Sequence, residues 1–274
     1  MLPIDTTLIT SSQNPNVQFI RSLLTDKKSR AESGLFVVEG IRLAEEVLNH
    51  GILPHSAYFT NQVSDRGQAL IAQLHSNGVR ITQIAPDVMG NISDTVTSQG
   101  ILLVVPQNSI PLVSEPDLVL ILDQVRDPGN AGTILRTAAS LGVKLVYFTH
   151  GSVDPYMPKV VRSGMGAHFH LTIRVADWSQ VLRFCKNELP VPLHLYLAES
   201  GAGQSMWQAD LKKPLALVVG SEADGPSPLA RSSADSCTSS SCSSRNGEVS
   251  RPCSLTNHAR NSGSRSWCSV RRRS

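Results

Sequence analysis

Two segments of this chain set polar side chains beside glycines at the ends of apolar strands. In the first, Leu118 to Leu122 leads into Asp123-Gln-Val-Arg-Asp-Pro-Gly-Asn130-Ala-Gly132-Thr-Ile-Leu-Arg136, and a helix follows. In the second, Leu217-Val-Val leads into Gly220-Ser221-Glu222-Ala-Asp-Gly225-Pro-Ser. Each places an ionisable residue next to backbone that glycine lets a ligand approach. Pro128 to Gly132 turns the chain at the carboxyl end of a strand, where open α/β sheets place their ligands. Asn130 is expected to cap the helix, with Arg136 nearly two turns further on. A bland alternative is a capped strand–helix junction with a solvent-facing arginine. A phosphate loop is another, because helix N-termini attract anions. The Gly-Lys-Ser/Thr ending of a nucleotide loop and the Gly-x-Gly-x-x-Gly fingerprint are both missing, which argues against NTP and NAD.

The elements that must hold these residues read as α/β throughout. Residues 1–30 have the spacing of a helical lead-in. Strands are expected at 34–40, 55–60, 79–84 and 100–105, with helices at 41–48, 65–75 and 86–92 between them. This defines a first domain over 1–105. Pro106 to Pro111 opens a linker, 106–117. A second domain over 118–230 has expected strands at 118–122, 144–149, 168–173, 193–198 and 215–219. Its helices are expected at 130–141, 157–164, 178–188 and 205–209. Continuously apolar strands separated by helices predict a mostly parallel sheet covered on both faces.

The whole chain fits a folded soluble enzyme: 274 residues, 41% hydrophobic, 17% charged, net charge +3. That charge argues only weakly for nucleic acid. No apolar run approaches the roughly 18–20 residues of a membrane span, and no signal or transit pattern is visible, so a cytoplasmic location is expected. Cys185 fits the apolar face of a helix and reads as core. Cys237, Cys242, Cys253 and Cys268 form no Cys-x-x-Cys pair, and no metal site is expected from them. His168 and His170, two apart on an expected strand, would share one face and could pair on a metal. Most such pairs are simply one side of a strand. Asp177 reads as a helix cap and Trp178 as a packing residue.

The two glycine-bounded segments together resemble the SpoU/TrmH family of RNA ribose 2′-O-methyltransferases, of the SPOUT superfamily. Asn130-Ala-Gly132-Thr-Ile-Leu-Arg136 matches its Asn-x-Gly-x-x-x-Arg signature. Gly220-Ser-Glu222-Ala-Asp-Gly225 matches its Gly-x-Glu-x-x-Gly. Arg162-Ser-Gly-Met-Gly-Ala167 resembles the stretch between them, and the front unit with Phe36-Val-Val-Glu-Gly40 resembles its small substrate-binding domain. The resemblance covers about residues 10–230. It implies an α/β-knot methyltransferase domain, usually dimeric, that moves a methyl from S-adenosylmethionine to a ribose 2′-hydroxyl of rRNA or tRNA without a metal. It implies catalytic roles for Arg136, Asn130 and Glu222, with Glu222 pairing to orient the site. Gly220, Ser221 and Gly225 would meet the cofactor. Lys27, Lys28, Arg30 and Arg162 would contact RNA phosphates, although a solvated turn also explains the first three. A guanidinium with a pKa above about 12 is a poor base, so phosphate binding and stabilisation of the developing alkoxide suit Arg136 better.

The sequence departs from that family at its C-terminal side. Residues 231–274 hold fifteen Ser, eight Arg and four Cys, and only Val249, Leu255 and Val270 as aliphatics larger than Ala. That composition predicts disorder, because little apolar burial offsets the ordering of the backbone. The family's third motif, Ser-Leu-Asn before an Ala-rich helix, has only the echo Ser254-Leu-Thr-Asn257. A frameshifted or mis-spliced end would explain it, and impaired cofactor binding and dimerisation are then expected. Two rivals remain open: a non-catalytic RNA-binding protein of the same descent, and an unrelated nucleotide-binding α/β protein.

Overall fold

A computed structural model describes residues 5–93, 98–107, 109–112, 114–200, 203–212 and 214–239. The first domain is built on five strands: β1 (Asp5–Ile9), β2 (Leu35–Glu39), β3 (Ser56–Phe59), β4 (Ile81–Ile84) and β5 (Ile101–Pro106). Their order in the sheet is β1-β4-β3-β5-β2, with β2 and β5 antiparallel and β1, β4 and β3 parallel. Its helices are α1 (Pro15–Thr25), α2 (Lys27–Ser33), α3 (Ile41–Asn49), α4 (Asp65–Ser76) and α5 (Pro86–Ile92). Asp26 ends α1 and starts α2, its carboxylate accepting from the amides of Lys28 and Ser29. The basic run beginning at Lys27 is therefore a capped helix rather than a turn.

Among the described residues the second domain has seven strands, all paired in parallel: β6 (Leu118–Asp123), β7 (Leu145–Thr149), β8 (Thr172–Ala176), β9 (His194–Ala198), β10 (Gln204–Ser205), β11 (Leu215–Gly220) and β12 (Ser236–Ser239). Their order is β10-β12-β9-β11-β6-β7-β8. The helices are α6 (Pro128–Ser140), α7 (Pro158–Gly164), α8 (Trp178–Arg183) and α9 (Pro228–Ser233). The central strands β6 and β7 are almost wholly buried, as a sheet covered on both faces requires.

Several expectations shift. The strand expected at 168–173 begins only at Thr172, because Ala167–Phe169 forms a short 3-10 turn. The helix expected at 205–209 is instead the short edge strand β10 and a turn. Order also continues past the change in composition at Pro228. Helix α9 is capped by Ser227, and β12 inserts between β9 and β10 although it reads only Ser-Cys-Thr-Ser. Backbone pairing on both sides, with Thr238 and Ser239 buried, holds a strand whose side chains carry no strand signal. The disorder expected from residue 231 is thus wrong for 231–239. The later residues of that segment, the Ser254 to Asn257 echo among them, lie outside the described residues.

The two domains share a core. Phe36 of β2 packs on Tyr156, His168 and Phe169 of the second domain, with ring centroids 5.1, 6.0 and 6.5 Å away. A continuous buried apolar cluster runs from Val38, Leu103 and Val105 to Leu120, Leu135 and Phe148. A separate cluster of Val17, Ile20, Leu23, Ile84 and Met89 belongs to the first domain alone.

Candidate active site

The site is organised by a residue with no role in the sequence reading. Asp123, the last residue of β6, is fully buried. Its Oδ1 accepts from Thr149 Oγ1 at 3.0 Å and from Trp178 Nε1 at 2.9 Å. Its Oδ2 accepts from the Ser227 amide at 2.6 Å. One carboxylate thus joins the ends of β6 and β7, helix α8 and the start of α9. A buried carboxylate is tolerable only with such partners. Gln124 then takes a left-handed turn, φ 57°, stabilised by its amide donating to Thr149 Oγ1 at 3.2 Å. Asp127 caps α6 by accepting from the Asn130 amide at 2.8 Å. The expected cap at Asn130 is therefore corrected. The helix starts two residues earlier, at Pro128, and Asn130 lies inside its first turn with its side chain free of the cap.

Glycine serves the packing of the chain here. A Cβ on Gly132 would lie 1.9 Å from Ser163 Oγ and 2.8 Å from the Gly164 nitrogen, so α6 and α7 meet backbone to backbone. A Cβ on Gly220 would lie 2.5 Å from the Pro226 nitrogen. Gly220 lets the loop after β11 fold back on itself, and Ser221 and Gly225 close it as an isolated bridge. That explains Gly220 without a ligand, a different reason from the expected cofactor approach.

The two loops stand side by side because β11 pairs with β6 in register, Gly220 opposite Asp123. They are also tied by Arg126 Nη1 donating to Asp224 Oδ2 at 2.8 Å. The acidic residue that pairs across the loops is thus Asp224. Glu222, expected to pair with a basic or backbone donor, is exposed at the tip of its turn and has no ion pair or hydrogen bond among the described residues. The side chains of Asn130 and Arg136 are likewise unpartnered among the described residues, and Arg136 is exposed. One carboxylate, one amide and one guanidinium are left over by the fold on adjacent elements. A carboxylate suits a sulfonium cation and a guanidinium suits a phosphate, so these donors fit S-adenosylmethionine and an RNA strand.

Comparison with known proteins shows the family. The model of the SpoU rRNA Methylase family matches residues 117–242, and that of the MRM3-like substrate binding domain matches residues 14–103. An uncharacterized tRNA/rRNA methyltransferase of Synechocystis is 31% identical over 226 residues, covering 82% of this chain and 81% of that protein. The chain belongs to the SpoU methylase family. It is an RNA methyltransferase that uses S-adenosylmethionine. The Bacillus subtilis 23S rRNA (guanosine(2553)-2′-O)-methyltransferase RlmP is 27% identical, covering 79% of this chain and 83% of that one. The AdoMet-bound rRNA methyltransferase from Sinorhizobium meliloti superposes with a TM-score of 0.75 at 25% identity, covering 89% of this chain and 92% of that one. Among the described residues no helix is long and apolar enough to cross a membrane.

The other expected residues of this SpoU methylase divide. Arg30 is turned inward, away from solvent. Its Nε and Nη2 both lie 2.7 Å from Asp154 Oδ2, and its Nη1 donates to the Leu23 carbonyl at 2.6 Å. Its side chain is 5% exposed, so it serves as an ion pair between the domains. Lys27 and Lys28 are exposed on α2, and Lys28 pairs loosely with Glu32 at 3.7 Å. Arg162 is half-buried in the last turn of α7. His168 and His170 do not share a strand face. His168 is buried, its Nε2 2.7 Å from the Pro155 carbonyl, and burial lowers its pKa to about 4. His170 is exposed and faces His50. Cys185 is buried as expected, its thiol pKa pushed up to about 12 by that burial.

Proposed function

We propose that this methyltransferase modifies a ribose 2′-hydroxyl of rRNA or tRNA, with Arg136, Asn130 and Glu222 at the reacting centre. The observation that carries the proposal is that these three side chains, on adjacent elements, have no hydrogen bond or ion pair among the described residues. When bound, S-adenosylmethionine supplies a methyl already activated on a sulfonium, so the protein's share is alignment and electrostatics. Arg136 binds the phosphate beside the target nucleotide and stabilises the negative charge that grows on the 2′-oxygen as its proton leaves. Asn130, in the first turn of the same helix, orients the ribose. Glu222 holds the positive side of the cofactor, while Ser221, Gly220 and Gly225 shape the turn against which it rests. The similarity to the ribose methyltransferase RlmP supports the 2′-hydroxyl as acceptor.

Residues 1–105 are proposed as the RNA-binding domain, with 106–117 as linker and Lys27, Lys28 and Arg162 as phosphate contacts. Homodimerisation, expected of the family, is proposed to be weak here. Residues 240–274 offer few apolar side chains to bury in a partner or to close a cofactor pocket. Light scattering on the full chain reads that directly. The cytoplasm is proposed as the site of action from the sequence alone, and a fluorescent fusion of the full chain tests it. The chemistry itself is tested by alkaline hydrolysis of RNA labelled from methyl-tritiated S-adenosylmethionine. A 2′-O-methyl group blocks cleavage of its own phosphodiester, so label in alkali-stable dinucleotides supports the proposal. Label released as free mononucleotides refutes it.

A further inference from the structure

Where the two domains meet, three metal-ligating side chains converge that methyl transfer does not use. Glu46 lies on α3 and His50, four residues on, caps its C-terminal end, so the two share one side of it. His170 follows the short turn Ala167–Phe169 of the second domain. His50 Nε2 lies 3.3 Å from His170 Nδ1, with ring centroids 4.1 Å apart and planes at 76°. The Glu46 carboxylate reaches within 3.8 Å of His50 Nδ1. One ligating atom from each of the three falls within 4.8 Å of the other two.

The spacing has a chemical meaning. Nitrogens bound at about 2.0–2.1 Å around a tetrahedral zinc ion stand roughly 3.3 Å from one another. His50 Nδ1 also sits 2.8 Å from the Glu46 carbonyl oxygen. A ring whose Nδ1–H donates to a carbonyl keeps its Nε2 lone pair for a ligand, the usual support of a metal-bound histidine. The cluster is braced from below. His50 packs on Phe169 with centroids 6.5 Å apart, and Glu46 Cγ lies 3.4 Å from where a Cβ would stand on Gly166.

We propose that Glu46, His50 and His170 bind one divalent transition-metal ion of the zinc class, with water completing the shell, and that the ion fastens the first domain to the second. The role is structural and independent of the methyl-transfer site.

The test uses the untagged full chain with its accessible cysteines alkylated, so that thiolates do not compete. Zinc chloride alone is titrated in by calorimetry, and thermal melting is recorded with zinc and with chelator. One ion should bind per chain and raise the melting temperature. His170→Asn and His50→Asn should each weaken binding about tenfold or more. His170 is exposed, so the metal-free melting temperature of His170→Asn should match that of the parent. Cobalt in place of zinc should give a spectrum without thiolate charge-transfer bands. A parent that binds no zinc, or two variants that bind as the parent does, would overturn the proposal and leave an ordinary histidine pair at a domain contact.

Discussion

Replacing Asp123 should separate the site's scaffold from its chemistry. Asp123→Ala removes the acceptor for the Trp178 indole, the Ser227 amide and the Thr149 hydroxyl. The hydroxyl can turn elsewhere, but the indole and the amide cannot, and both are buried. An unsatisfied buried donor costs roughly 1–3 kcal/mol, so two predict a loss of about 4 kcal/mol. In a protein of this size that is roughly 8–16 °C in melting temperature. Asp123→Asn is the sharper variant. Its oxygen can still accept from Trp178 and Thr149, but its NH2 then faces the Ser227 amide, donor against donor. Stability should fall by only about 2 kcal/mol. Affinity for S-adenosylmethionine should fall disproportionately, because Ser227 anchors the end of the Gly220–Pro226 turn. Urea unfolding and cofactor titration by calorimetry read the two effects separately. If Asp123→Ala unfolds within about 1 kcal/mol of the parent, the carboxylate is not the hub described here.

Three further outcomes follow from the same geometry. Arg30→Ala should destabilise the chain by roughly 3–5 kcal/mol, because it strands the nearly buried Asp154; the salt dependence of RNA binding, measured by filter retention, should stay unchanged. His168, with its pKa lowered from 6.5 to about 4, is neutral in the fold, so the unfolded chain takes up its proton first. Its contribution is present above pH 6.5 and is lost as pH falls toward 4, about 3 kcal/mol in all, and urea unfolding across that window should show a shallower slope in His168→Asn. Gly132→Ala should push α6 off α7 and lower the melting temperature, because its Cβ would meet Ser163 and the Gly164 backbone.

How much the sequence shows depends on which signals are local. The central parallel strands are legible because β6 and β7 are runs of buried apolar residues. Asn130, Arg136, Glu222 and the glycines are legible because their spacing along the chain is itself the motif. Partnerships between distant segments are not written in any one of them. Arg30 looks like its lysine neighbours until Asp154, 124 residues on, turns it inward. Asp123 is one acid at a strand end, and only the fold brings Ser227 to it from 104 residues away. The assignment of the cap to Asn130 failed because Asp127-Pro128 offers an equally good start, and proline at the first helical position settles it. Strand β12 is invisible because backbone pairing, which any side chain permits, makes it.

The central claim is that Arg136 stabilises charge on the acceptor oxygen rather than holding the cofactor. Single-turnover transfer of a labelled methyl to rRNA, at saturating S-adenosylmethionine, tests it most directly when the parent is compared with Arg136→Ala and Arg136→Lys. The rate should fall about 10²–10³-fold in the alanine variant, while cofactor affinity in a parallel titration stays within about twofold. The lysine variant should stay poor, because a point charge does not reproduce the planar fork. Equal turnover by Arg136→Ala, or a loss confined to cofactor binding, would contradict the account.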